Sequence, residues 1–100
     1  MYSIETNIEG EKATVFIEGE IDCLNVLDAE HALDDAASKV TELVVDCSKL
    51  EYISSAGLHV LLKLQKQFHV QNKELFIRNV HEEVYDVLKV TGFTHLFNIA

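Results

Sequence analysis

The 100-residue sequence contains no proline, and only two cysteines and four glycines. Without proline, turns depend on the glycines and on asparagine or aspartate. Cys23 and Cys47 belong to no closely spaced motif, which predicts two small apolar side chains in a reducing compartment, with no disulfide or metal site. A domain of this length needs neither, because it buries roughly two-thirds of the surface that its unfolded chain exposes.

Positive charge and long apolar runs are also scarce. Eight lysines and arginines leave a formal net charge of -9, which argues against nucleic-acid binding because a phosphate backbone requires a basic face. No stretch approaches the roughly 20 apolar residues of a membrane span. The N-terminus has no basic region followed by an apolar core. The sequence therefore predicts one cytoplasmic domain, residues 1–100, that neither binds nucleic acid nor inserts into a membrane.

Alternation of apolar and polar residues predicts an N-terminal hairpin. Every second residue from Tyr2 to Ile8 is apolar or threonine, and a second alternating run extends from Ala13 to the Gly19-Glu20 pair. This period of two is typical of half-buried strands. Because the turn around Gly10 is short, the two strands are expected to be antiparallel neighbours.

Three helices and three further strands follow. The first helix starts after Asn25 as N-cap, the second starts near Ser55 and ends at Asn72, and the third is opened by Asn79 and stopped by Gly92. Apolar runs predict strands at Leu43–Val45, Leu75–Ile77 and Phe93–Ile99. The run Leu43–Val45 has no polar alternation, which indicates a central strand with helices on both faces. The predicted fold is α/β, a mixed sheet of about five strands with three helices, antiparallel only in the hairpin.

Such a sheet brings its functional loops to one end. The loops leaving the carboxyl ends of the strands span Gly19–Asn25, Asp46–Ser55 and Arg78–Glu82, and ligands of open α/β sheets usually bind there. Each loop leads into a helix, so three sets of free backbone N–H groups are expected at this edge. Ser55 lies at one of these helix starts.

Two segments resemble the STAS domain of bacterial anti-sigma factor antagonists. The first is Gly19-Glu20-Ile21-Asp22, and the second is Asp46-Cys47-Ser48-Lys49-Leu50-Glu51-Tyr52-Ile53-Ser54-Ser55-Ala56-Gly57-Leu58. Thr91-Gly92-Phe93 and Leu96-Phe97 are similar to the end of that family's pattern. The resemblance covers nearly the whole chain, although the family's last helix is missing.

The resemblance implies a phosphorylation switch. It places the phosphoacceptor at Ser55. Ser54 is the second choice: the family commonly has aspartate at this position, and a serine there adds a second possible acceptor hydroxyl. Ala56 stands where a further serine or threonine is common. The implied partners are an anti-sigma factor serine kinase, which binds the unmodified chain and releases it on phosphorylation, and a serine phosphatase. The expected partner-binding residues are Asp22, Cys23, Asn25, Ser54, Ser55, Ala56, Gly57, Leu58 and Asn79.

Simpler interpretations of these residues stay open. A serine at a helix start most often only caps the helix, a role worth about 1 kcal/mol. Asp22 fits a local capping role as well as a partner contact, and Asp46 most simply bonds to the backbone of a neighbouring loop. The side chains of His59, Lys63 and Lys66 are most simply a solvated helix face.

Other function classes have less support in the sequence. A serine nucleophile with His59 lacks the Gly-x-Ser-x-Gly elbow and a third group, and no Gly-rich loop ends in Lys-Ser/Thr to hold nucleotide phosphates. Asp46 resembles the phosphoacceptor aspartate of receiver domains, but the hairpin and the missing acidic pair argue against that family. The five histidines lack zinc-ligand spacing. The sequence therefore predicts no catalysis, no cofactor and no metal.

The main rival is a structural role. Single STAS domains also serve as small subunits of ABC-type lipid transport complexes, bound to the ATPase and without a phosphorylation cycle. The tandem hydroxyls of Ser54 and Ser55 favour the regulatory interpretation. Neighbouring genes would distinguish the two roles. The regulatory role predicts a gene for a serine kinase or phosphatase nearby, and the transport role predicts genes for an ABC ATPase and a permease.

Overall fold

The computed structural model describes residues 2–90 and 98–99. Its elements follow the order β1 Tyr2–Glu9, β2 Lys12–Ile21, α1 Val26–Ala37, β3 Glu42–Ile53, α2 Ser55–Val70, β4 Glu74–Arg78, α3 Glu82–Val90 and β5 Asn98–Ile99. The strands form a sheet in the order β1-β2-β3-β4-β5. Only the β1–β2 pair is antiparallel, which confirms the predicted mixed sheet. The predicted stop at Gly92 and most of the strand Phe93–Ile99 lie outside the described residues.

The N-terminal hairpin turns where the glycine is needed. Glu9 pairs with Lys12, leaving two residues in the turn, and Gly10 has a φ of 62°. That backbone conformation is one that residues with a side chain seldom adopt. The predicted hairpin is confirmed, and its second strand runs on to Ile21.

The core lies on one face of the sheet. The buried residues of the three central strands are in register, Ala13 with Leu43 and Leu43 with Leu75. They form one cluster with buried residues of all three helices, among them Ala29, Leu33, Leu61, Leu64, Phe68, Val84 and Leu88. This burial follows from the helical spacing of the apolar residues.

Among the described elements none covers the opposite face of the sheet, so for this part of the chain the prediction of helices on both faces is wrong. Phe16 on this face is 41% exposed, and Val44 and Phe76 are only half-buried. Val44 pairs in register with Phe76, which gives it an apolar neighbour within the sheet instead of a covering helix. A continuous apolar run can therefore arise without burial on both sides.

Strand β3 is far longer than the sequence pattern indicates. The predicted loop Asp46–Ser55 is strand as far as Ile53, and this part of the prediction is wrong. Asp46 pairs with Phe16 and Ile53 pairs with Ile21, so β3 advances by seven residues where β2 advances by five. The difference arises because the register shifts twice. Each shift is a β-bulge, which breaks the period of two. The buried residues Cys47, Leu50 and Ile53 consequently recur every third residue.

The two cysteines have different environments. Cys47 is 2% exposed, and burial, with a smaller contribution from the Asp46 carboxylate, raises the pKa of its thiol to about 12. It behaves as the predicted small apolar side chain. Cys23 is exposed, so the same prediction is wrong for Cys23.

The helices end and pack largely as predicted. Asn72 has a φ of 56° just after α2, which confirms the left-handed ending. In α3, Val84 and Leu88 are buried, whereas Val87 is 38% exposed. Among the described helices, none has the length and apolar composition required to cross a membrane.

Candidate functional site

Ser54 connects the ends of two strands to the start of α2. Its backbone N–H donates to the Ile21 carbonyl at 2.8 Å, next to the last rung of the β2–β3 pairing. Its hydroxyl oxygen accepts from the Gly57 N–H at 3.3 Å, with the extended backbone typical of an N-cap. Ser54 therefore satisfies one of the donors that a helix start leaves open.

Ser55 is the first residue of α2, and its side chain is exposed. Within the described part of the chain its hydroxyl has no hydrogen-bond partner. The first turn of α2 contains no acidic residue, so its remaining N–H groups and the helix dipole have no fixed anion there. A negative charge at such a position is stabilised by about 0.3 to 1 kcal/mol.

Gly57 and Leu58 pack the first turn of α2 against the core. A Cβ on Gly57 would lie 2.6 Å from Ile53 Cγ1 and 3.1 Å from Ile21 Cγ2. Leu58, named among the expected partner-binding residues, is 4% exposed and belongs to the core. The reason is that the first turn of α2 packs directly on the ends of β2 and β3, and both positions face that contact.

The loop between β2 and α1 is held by Asp22 and Asn25. Asp22 Oδ1 accepts from the backbone N–H groups of Leu24, at 2.9 Å, and Asn25, at 3.2 Å. Asn25 Oδ1 accepts from the Asp22 N–H at 2.9 Å, and its amide donates to the Glu20 carbonyl at 2.8 Å. Asn25 precedes α1 but makes no side-chain cap bond. Both side chains therefore shape the loop, as the local interpretation of Asp22 allowed.

This loop carries an exposed apolar pair that the sequence analysis missed. Leu24 is 91% exposed and Leu27, in the first turn of α1, is 65% exposed. Leu27 falls outside the buried stripe that contains Ala29 and Leu33, and that offset is the signal that could have identified it. Leu24, Leu27, Cys23 and Ser55 are all exposed, and the loop leaves β2 at Ile21, whose carbonyl accepts from the Ser54 N–H. We call these four residues the acceptor surface.

Asn79 lies in a different part of the molecule. Its φ is 57°, and its amide donates to Asp46 Oδ2 at 3.0 Å. Strand β4 ends opposite Asp46. Strands β2 and β3 continue beyond that point, and β2 runs five more residues, from Phe16 to Ile21. At 3.3 Å per residue this is a distance of about 16 Å along the sheet between the end of β4 and the end of β2. The prediction that Asn79 shares one docking edge with Ser55 is therefore wrong.

Asp46 anchors the start of α3 to the first bulge of β3. Besides Asn79, it accepts from the Ser48 N–H at 2.9 Å, and the His81 imidazole bonds to the Ser48 carbonyl. Partial burial acts to raise the pKa of Asp46, but the hydrogen bonds from Ser48 and Asn79 outweigh it and hold the pKa below its ordinary value. The arrangement is structural, as predicted for Asp46.

Comparison with known proteins identifies the family. A model of the STAS domain matches residues 3–100. The chain belongs to the STAS domain family. BtrV of Bordetella bronchiseptica, provisionally named an anti-sigma factor antagonist, is 33% identical over 81 residues, which cover 77% of this chain and 70% of BtrV. The anti-sigma-B factor antagonist of Staphylococcus aureus is 26% identical over 98 residues, covering 97% of this chain and 91% of that protein.

Solved STAS structures share the fold. The anti-sigma factor antagonist SpoIIAA in its unphosphorylated form superposes with a TM-score of 0.83 at 17% identity, covering 98% of this chain and 88% of SpoIIAA. The phosphorylated form of SpoIIAA from Bacillus superposes with a TM-score of 0.77 at 16% identity, covering 98% and 91%. At this identity the likeness establishes the common STAS architecture.

Proposed function

We propose that this STAS domain is a cytoplasmic anti-sigma factor antagonist that binds an anti-sigma factor kinase and is released when Ser55 is phosphorylated. The observation that carries the proposal is the difference between the two serines. Ser54 is committed to capping α2, whereas Ser55 is exposed and its hydroxyl is available. The names of the relatives, and the existence of SpoIIAA in two phosphorylation states, support the same function.

The acceptor surface suits recognition by a protein. Leu24 and Leu27 provide exposed apolar area in and just after the loop that leaves β2, and removal of apolar area from water favours association. The mutual bonds of Asp22 and Asn25 fix the loop before binding, which lowers the entropy lost on association. Gly57 and Leu58 contribute by supporting α2 from the core.

The modification transfers one phosphoryl group. The Ser55 oxygen bonds to the γ-phosphorus of ATP held by the partner, the bond to ADP breaks, and the hydroxyl proton passes to a base on the partner. The phosphate adds about -1.5 to -2 charges at neutral pH. Two unit charges 4 Å apart interact by about 4 kcal/mol at an effective dielectric near 20, and every 1.4 kcal/mol changes affinity about tenfold.

Binding measurements on four forms of the chain test this function. The wild-type protein and Ser55→Ala are expected to recover the same kinase-fold protein from a lysate of the native cells, identified by mass spectrometry. Ser55→Asp is expected to lose it. Gln71→Glu, at the opposite end of α2, adds the same charge and should bind normally.

Two results would contradict the proposal. One is equal recovery of the partner by Ser55→Ala and Ser55→Asp. The other is recovery of an ABC ATPase and permease in place of a kinase, which would support the lipid-transport alternative. A serine phosphatase that acts on the phosphorylated chain is the further partner that the proposal requires.

A further inference from the structure

We propose that His59 is the counter-ion of a phosphate on Ser55, so that the modified domain holds its own phosphoserine through a pair within α2. The proposal rests on the assignment of Ser55 as the acceptor. It adds a residue outside the acceptor surface and a dependence on pH. His59 is a positioning residue here, because it acts on the phosphate after transfer.

The spacing along α2 brings the two side chains together. Ser55 and His59 are separated by four residues in a continuous helix, which places their Cβ atoms about 5 to 6 Å apart. Helical side chains tilt toward the N-terminus, so His59 extends over the turn that contains Ser55. A phosphate on Ser54 would be five residues from His59, about 140° around the helix axis at 3.6 residues per turn.

Within α2, His59 is the basic residue nearest to Ser55 along the helix. On the outer face of α2, Lys63 is bonded across to Glu30 of α1 at 3.2 Å, and Lys66 lies nearly a full turn farther on. From α1, Glu30 is the acidic residue whose side chain reaches α2, through its contact with Lys63. His59 is exposed and takes part in no ion pair within residues 2–90 and 98–99.

The pair would operate near neutral pH. A phosphoserine is a dianion above about pH 6, and an ordinary imidazole is protonated below about pH 6.5. Because each charge favours the ionised form of the other, the nearby cation lowers the pH at which the phosphate loses its second proton. Acidification within this range strengthens the hold on the phosphate until the phosphate itself is protonated.

Phosphorus NMR of a chain carrying phosphoserine at position 55, introduced by genetic encoding, tests the pair without any kinase. The midpoint of the second phosphate ionisation is expected to lie about half a pH unit lower than in His59→Gln. His59→Lys keeps a cation at the same position and should retain the low midpoint. His69→Gln alters an equally exposed histidine at the far end of α2 and should leave the midpoint unchanged.

An equal midpoint in the wild type and His59→Gln would overturn the proposal, and so would an equal shift in His69→Gln. A chain carrying phosphoserine at position 54 should show no effect of His59→Gln. Because the phosphoserine is introduced by genetic encoding, failure of this test would not show that Ser55 is not the natural acceptor. That assignment is tested separately, by the binding measurements on Ser55→Ala and Ser55→Asp. Failure of that assignment would leave the titration result intact.

Discussion

Gly57 shows how closely a single residue constrains the candidate site. Replacement by alanine places a Cβ 2.6 Å from Ile53 Cγ1, and Ile53 is itself 5% exposed, so the neighbour has little room to move. Overpacking of this kind costs about 1 to 3 kcal/mol, more than the roughly 1 kcal/mol that alanine gains over glycine in a helix. We expect Gly57→Ala to lower the free energy of unfolding by up to about 2 kcal/mol in urea titrations.

A double-mutant cycle identifies the cause of that loss. In an Ile53→Ala background the clashing Cγ1 is absent and only the 3.1 Å approach to Ile21 Cγ2 remains, so Gly57→Ala should cost clearly less than in the wild type. An equal cost of Gly57→Ala in both backgrounds would exclude the contact with Ile53 as its origin.

The two serines provide a second test at the residue scale. Ser54→Ala removes the N-cap acceptor for the Gly57 N–H and should lower the free energy of unfolding by about 1 kcal/mol. Ser55→Ala removes an exposed hydroxyl and should change it by less than about 0.5 kcal/mol. Both values come from the same chemical denaturation experiment. A larger loss for Ser55→Ala would reverse the roles assigned to the pair.

Strand β3 is the element on which the sequence prediction failed most clearly. Its first half alternates as strands do, but the two bulges shift the buried positions to Cys47, Leu50 and Ile53. A period of three matches neither a strand nor a helix template, so the sequence pattern predicts a loop in this segment. The bulges are visible only in the pairing with β2, which is a tertiary feature. The consequence for the site is that Asn79 and Ser55 lie at different levels of the sheet.

The link between β3 and α3 predicts a dependence on pH. The pKa of Asp46 is lowered in the folded protein, so its stabilising contribution is complete above the pKa of the unfolded chain, about 4. It is lost as the pH falls through the lower folded value. The free energy of unfolding of the wild type should therefore approach that of Asp46→Asn as the pH falls from about 6 to about 3.

Asn79→Gly is the matched variant for this test. Glycine accepts the positive φ of Asn79 and removes the amide that donates to Asp46, so the variant should lose part of the same dependence on pH. A constant difference between the wild type and Asp46→Asn across this range would show that the Asp46 contacts do not stabilise the ionised form.

At the scale of the whole molecule, local patterns were sufficient for the order and type of the elements. Alternation in residues 2–17 and helical spacing in α1 and α2 are set by neighbouring residues, and the parallel pairing follows from helices between strands. The open face of the sheet was not predictable, because Val44 and Phe76 are as apolar as core residues. The segment that contains Ser54 and Ser55 is recognisable from its sequence motif. Leu24 was missed because an isolated leucine in a polar turn carries no periodic signal.

The assignment of Ser55 as the acceptor is tested by locating the phosphate on the chain isolated from its native cells. Both serines lie in the tryptic peptide from Leu50 to Lys63, and tandem mass spectrometry distinguishes them. We expect a single phosphate on Ser55, retained in Ser54→Ala and abolished in Ser55→Ala. Phosphate on Ser54 with Ser55 unmodified, or undiminished phosphorylation of Ser55→Ala, would contradict this assignment.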